Sequence, residues 1–122
     1  MVHLQESGEM YLETIYLLSK EGKNVRAIDV GEYMGYSKPS VSRAMGILKK
    51  GGYVETNEEG YLVLTEEGRR VASKTYERHE VLTKIFVGLG VSEEVASEDA
   101  CRIEHIISDE TFAALKKHVG LE

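Results

Sequence analysis

Three residue types able to bind a divalent cation fall within five positions late in the sequence, in the run Cys101-Arg102-Ile103-Glu104-His105. On a helix, Cys101, Glu104 and His105 stand at i, i+3 and i+4 and share one contiguous arc. Ala96, Ala100, Ile103 and Ile107 form a separate apolar stripe on that helix. A thiol, a carboxylate and an imidazole off the core stripe supply three ligands to one ion, and a fourth must come from elsewhere. The same residues admit a plainer reading. A lone cysteine is commonly a small buried hydrophobe, and a Glu-His pair on a helix is commonly solvated.

A second group has the chemistry of nucleic-acid recognition. The whole chain carries a net charge of −6, but residues 23–50 hold Lys23, Arg26, Lys38, Arg43, Lys49 and Lys50 against only Asp29 and Glu32. That segment is +4 and the remainder −10. A basic patch on an acidic body is the footprint of a face that meets phosphate. Ser37, Pro39, Ser40 and Arg43 have the small, methyl-bearing or long donor side chains that suit base edges, and Ser42 belongs to the same run. Lys38, Lys49, Lys50 and Arg26 would neutralise phosphates. A winged helix used only for protein contacts is the alternative, and Lys49 and Lys50 also suit a solvated helix end.

These groups need elements to hold them. Apolar periodicity predicts helices over 6–20, 27–34, 38–50, 66–88, 92–107 and 108–119. Ser37 caps the third, with Pro39 in its first turn and Gly51-Gly52 ending it. Ser92 and Ser108-Asp109 open the last two. Residues 53–56 and 61–64 predict a hairpin around Asn57-Glu58-Glu59-Gly60. Short helix, tight turn, capped helix and hairpin make a winged helix-turn-helix. The expected fold is mainly α: a winged helix-turn-helix over residues 1–72, then an all-helical metal-binding and dimerisation domain over 73–122. Ser108-Asp109-Glu110 and Lys116-Lys117-His118 read as solvated helix ends.

The 122 residues, 42% of them hydrophobic, suffice for one compact domain or two small ones, and a dimer interface would enlarge the thin core. Val95, Ile103, Ile106, Phe112, Leu115 and Val119 exceed what one small helical half can hide, which predicts a homodimer. No apolar run is long enough to span a bilayer and no signal peptide is visible. The single cysteine fits a reducing compartment. The expectation is a cytoplasmic protein without membrane partners.

Read in order, Glu9-Met10-Tyr11-Leu12-Glu13-Thr14-Ile15-Tyr16, Ser37-Lys38-Pro39-Ser40-Val41-Ser42, Leu62-Val63-Leu64-Thr65-Glu66-Glu67-Gly68, Arg78-His79-Glu80 and Cys101-Arg102-Ile103-Glu104-His105 resemble the diphtheria-toxin-repressor family of iron- and manganese-dependent regulators. The resemblance implies a primary ion held by Met10, Cys101, Glu104 and His105. The Met and Cys positions match the iron branch, where the manganese branch has carboxylates. Their softness agrees with Fe2+ over Mn2+, while Co2+, Ni2+ or Zn2+ can substitute in vitro. His79 matches a ligand of a second site, but the iron branch's partners are replaced here by Thr83 and Ser97. Glu13 matches a manganese-branch ligand, so a hybrid second site would draw on His79, Glu104 and Glu13. Further second-site ligands in the family come from a C-terminal SH3-like domain, and no part of that domain is expected within these 122 residues.

The resemblance implies a transcriptional repressor of metal homeostasis that binds double-stranded DNA at an inverted-repeat operator as a homodimer. An ion bridging Met10 and the later trio would favour the conformer whose recognition helices match successive major grooves, about 34 Å apart. Alternatives are a manganese-dependent regulator of the same family, a metal-independent winged-helix regulator, and a non-haem metalloenzyme. The last lacks a recognisable substrate pocket, second general base or phosphate loop, so no enzymatic activity is expected.

Overall fold

The computed structural model describes residues 6–120. Among them the order is α1 (Glu6–Lys20), α2 (Ala27–Met34), α3 (Lys38–Lys50), β1 (Val54–Thr56), β2 (Leu62–Leu64), α4 (Glu66–Gly88), α5 (Glu93–Ile103) and α6 (Asp109–His118). The chain divides into two compact units between Ser73 and Lys74, inside α4.

The first unit is built on one core. Leu12 and Ile15 of α1, Val30 of α2, Val41, Met45 and Leu48 of α3, and Val54, Leu62 and Leu64 of the hairpin are buried together, with Ala72 of α4 joining them. The i, i+4 and i, i+7 spacing of Val41, Met45 and Leu48 places them on one face of α3. Ile28 of α2 is apolar but points outward and is 65% exposed. Val30 alone is fully buried on that short helix, because eight residues have room for one inward stripe.

The turn between α2 and α3 follows from residue chemistry. Gly35 closes α2 at φ 73° and donates to the Gly31 carbonyl at 2.8 Å, a left-handed position that favours glycine. Tyr36 then packs its ring 5.9 Å from that of Tyr11. Ser37 caps α3 by accepting from the Ser40 N–H at 3.4 Å.

The hairpin is antiparallel, pairing Val54 with Leu64, Glu55 with Val63 and Thr56 with Leu62. Asn57 holds its tip: the side-chain oxygen accepts from the N–H groups of Glu59 (3.1 Å) and Tyr61 (2.9 Å). The base of the hairpin is tied to the start of α4. Thr65 Oγ1 donates to the Gly52 carbonyl at 2.6 Å and accepts from the Gly68 N–H at 3.1 Å. Gly68 lies so close that a Cβ there would stand 2.0 Å from the Tyr53 carbonyl oxygen.

The second unit comprises the rest of α4 with α5 and α6. Val81, Leu82, Ala96, Ala100 and Phe112 are its buried apolar residues. Phe112 therefore belongs to the unit's own interior, whereas Val95, Ile106 and Val119 remain exposed and Ile103 and Leu115 are half-buried. Leu89, at 77% exposure, is a further apolar side chain left outside.

The largest departure from the sequence expectation is the end of α5. Periodicity carries the helix to residue 107, but it stops at Ile103. Glu104 adopts φ −58° and ψ −24°, tighter than an ideal α-helix, and the Ile106 N–H bonds back to the Ile103 carbonyl three residues earlier. Ser108 then caps α6, accepting from the Thr111 N–H at 3.1 Å. From outside, the Arg78 guanidinium donates to the Glu104 and Ile107 carbonyls of this corner, a contact that sequence periodicity does not register.

Candidate metal centre and nucleic-acid interface

The corner after α5 carries the two ligand candidates that the fold brings closest. Glu104 is 1% exposed and the His105 imidazole is fully buried. Glu104 Oε2 lies 2.8 Å from His79 Nδ1 of α4, and Oε1 lies 3.3 Å from His105 Nε2. The Oε1 atom has no hydrogen-bond partner among the described residues. A buried carboxylate oxygen left unpaired is costly, which makes such an atom informative. Two donors each about 2.1 Å from a shared cation are separated by about 3.0–3.4 Å in octahedral or tetrahedral geometry. The 3.3 Å spacing of Glu104 Oε1 and His105 Nε2 suits two ligands of one divalent ion, and an oxygen and an imidazole nitrogen fit such an ion chemically.

Cys101 is half-buried on α5, three residues before Glu104. Among the described residues, no three His, Cys, Asp or Glu side chains gather closely enough to hold an ion. Met10 and Glu13 stand on α1 in the first unit, both half-buried; the Met10 carbonyl accepts from Thr14 Oγ1 at 2.9 Å.

His79 is held on every side. Its Nδ1 meets Glu104, its Nε2 lies 3.3 Å from Ser97 Oγ, and its carbonyl accepts from Thr83 Oγ1 at 2.7 Å. The two positions where this chain departs from the iron-branch ligand pattern, Thr83 and Ser97, are thus both hydrogen-bonded to His79.

Sequence reasoning passed over Arg78. Only 9% exposed, it donates from Nη1 to the carbonyls of Glu104 (3.2 Å) and Ile107 (2.7 Å) and from Nη2 to Asp109. Asp109 also pairs with Lys74 at 2.9 Å, and Lys116 pairs with Glu77 at 2.9 Å. The helix ends read as merely solvated are therefore tied back to α4. The Lys74 and Arg78 cations hold the Asp109 carboxyl below its ordinary value, with the Lys74 hydrogen bond the largest cause. A signal was present in the sequence: a cation adjacent to a candidate ligand on the helix facing the corner.

The nucleic-acid candidates all lie in the first unit. Lys38, Pro39, Ser40, Ser42, Arg43, Lys49 and Lys50 are exposed on α3, on the faces away from Val41, Met45 and Leu48. Ser37 is exposed as well, although its hydroxyl is engaged in capping. Arg26 is exposed and stacks its guanidinium 4.8 Å from the Tyr61 ring, linking the start of α2 to the hairpin. The hairpin tip carries Glu58 and Glu59, so the positive charge of this unit is concentrated on α3 and not on the wing.

Two family models cover nearly the whole chain. One, described as the iron dependent repressor N-terminal DNA binding domain, matches residues 3–62. The other, the iron dependent repressor metal binding and dimerisation domain, matches residues 65–121. The chain belongs to the iron-dependent repressor family of transcriptional regulators. It is similar to the transcriptional regulator MntR of Escherichia coli O6:H1, being 33% identical over 114 residues that cover 93% of this chain and 74% of that one. It is also similar to the iron-dependent repressor IdeR of Mycobacterium tuberculosis, 31% identical over 118 residues that cover 96% and 51%. A solved manganese-dependent transcriptional repressor in complex with manganese matches the fold with a TM-score of 0.86 at 26% identity, covering 94% of this chain and 53% of that one. The chain thus spans about half the length of IdeR and of the solved repressor. Among the described residues no helix is long and apolar enough to cross a membrane.

Proposed function

We propose that this chain is a metal-activated transcriptional repressor, responsive to Fe2+, that binds an inverted-repeat DNA operator as a homodimer. The observation that carries the metal reading is the buried Glu104 Oε1, without a hydrogen-bond partner among the described residues and 3.3 Å from His105 Nε2. Met10, Cys101, Glu104 and His105 would hold the primary ion. When bound, a divalent cation supplies the positive charge that joins thioether, thiol, carboxylate and imidazole donors. The exposed residues of α3 do the reading: Pro39 and Ser40 meet thymine methyls, Arg43 reaches a guanine edge, and Lys38, Lys49 and Lys50 neutralise phosphate. The exposed apolar side chains Val95, Ile106 and Val119 of the second unit favour burial against a second copy. Since His79 is already engaged by Glu104 and Ser97, we assign one ion per protomer; a second would recruit His79 and Glu13.

The soft donors Met10 and Cys101 favour iron over manganese. Manganese is the second reading, favoured by the names of relatives such as MntR. Selection of duplexes from a random pool with metal present, followed by anaerobic mobility-shift titration with Fe2+, Mn2+, Co2+ and Zn2+, tests both. The expected outcome is an inverted repeat bound only with metal, with Fe2+ more effective than Mn2+. A shift independent of metal would return the chain to the metal-independent winged-helix regulators, and a response to Mn2+ but not Fe2+ would establish the second reading.

A further inference from the structure

We propose that Arg78 is a positioning residue of the metal centre, holding the α5–α6 corner so that Glu104 and His105 are set as ligands before an ion arrives. The inference rests on the metal reading above. Its physical basis is the early end of α5. A helix C-terminus leaves carbonyls without intrahelical partners, and a buried end needs donors for them. The Arg78 fork supplies donors to the carbonyl of Glu104, the C-cap of α5, and to that of Ile107 in the corner beyond the helix, on either side of His105, and extends to Asp109 at the start of α6. Its guanidinium also lies 5.6 Å from the centroid of the Phe112 ring, within cation–π range. Adjacent residues of α4 thus grip one ligand twice: Arg78 holds the Glu104 backbone and His79 holds its carboxylate. Burying a guanidinium is costly unless its donors are used. Here Nη1 is used on the backbone that carries the ligand pair and Nη2 on the Asp109 carboxylate, while the buried Nε has no hydrogen-bond partner among the described residues.

Partners that orient metal ligands from outside the coordination sphere typically command about 10–100-fold in affinity. Arg78→Met should lower metal affinity by about that factor. Arg78→Lys keeps the charge but cannot span two carbonyls and a carboxylate, so it should recover only part of the loss. Asp109→Asn removes the exposed ion pair but leaves both carbonyl bonds, and should stay within about fivefold of wild type.

The experiment uses the full chain and Co2+ alone as probe, titrated anaerobically with visible absorption as the readout. The rise in Tm on adding Co2+ is measured alongside. A purely structural role for Arg78 would lower Tm equally with and without Co2+, leaving the rise unchanged; a positioning role shrinks the rise. If Arg78→Met does not fold, Arg78→Lys carries the same comparison. Wild-type Co2+ affinity and an undiminished Tm rise in a folded Arg78 variant, with His105→Ala unable to bind, would overturn this inference alone. No Co2+ binding by wild type, or binding untouched by His105→Ala, would overturn the metal reading and this inference with it.

Discussion

Single atoms decide two predictions. Met10 is the proposed thioether ligand, on a helix whose core contacts are made by Leu12, Ile15 and their neighbours. Met10→Ala should therefore abolish metal-dependent DNA binding while leaving the dimer intact, measured by mobility shift and by sedimentation. A variant that still responds to Fe2+ removes Met10 from the site. Gly68 is constrained by its closeness to the Tyr53 carbonyl oxygen, 2.0 Å from where a Cβ would lie. Backbone cannot yield as a flexible side chain does, so Gly68→Ala should destabilise the chain by about 2–4 kcal/mol in denaturant unfolding. Residue types alone suggested Cys101, Glu104 and His105 as ligands. What they could not reveal is that one oxygen of the carboxylate is already engaged by the His79 imidazole, because His79 lies 25 positions before Glu104.

At the scale of elements, helix starts were legible because Ser37, Ser92 and Ser108 each accept a backbone N–H at their own helix N-terminus. The end of α5 was not, because its apolar stripe continues to Ile107 while the backbone turns off to meet Arg78. Local pattern cannot weigh a donor contributed from another helix. That corner also gives a pH prediction. The folded Asp109 carboxyl titrates below its ordinary value of 3.8, so its ion pairs with Lys74 and Arg78 stabilise the fold above that pH. The contribution disappears as pH falls through the lower folded value. Melts of wild type and Asp109→Asn between about pH 6 and pH 2 should differ at the upper end and converge at the lower. A difference that grows on acidification would contradict the assignment.

For the molecule as a whole, charge is segregated. A chain of net −6 presents Lys38, Arg43, Lys49 and Lys50 along one exposed helix, so affinity for DNA should depend steeply on salt. Lys49→Ala and Lys50→Ala should each weaken binding uniformly across sequences and flatten the logarithmic salt slope by about 1 for each phosphate no longer neutralised. Arg43→Ala should change sequence preference more than the slope. Equal slopes for wild type and both lysine variants would mark those lysines as solvated helix ends. The close approach of Gly68 to the Tyr53 carbonyl reaches beyond this chain. It makes the hairpin and the first turn of α4 geometrically inseparable. A homologue bearing any side chain at the equivalent position must carry its wing at a different angle, so a single alignment column sorts sequences that can adopt this particular wing from those that cannot.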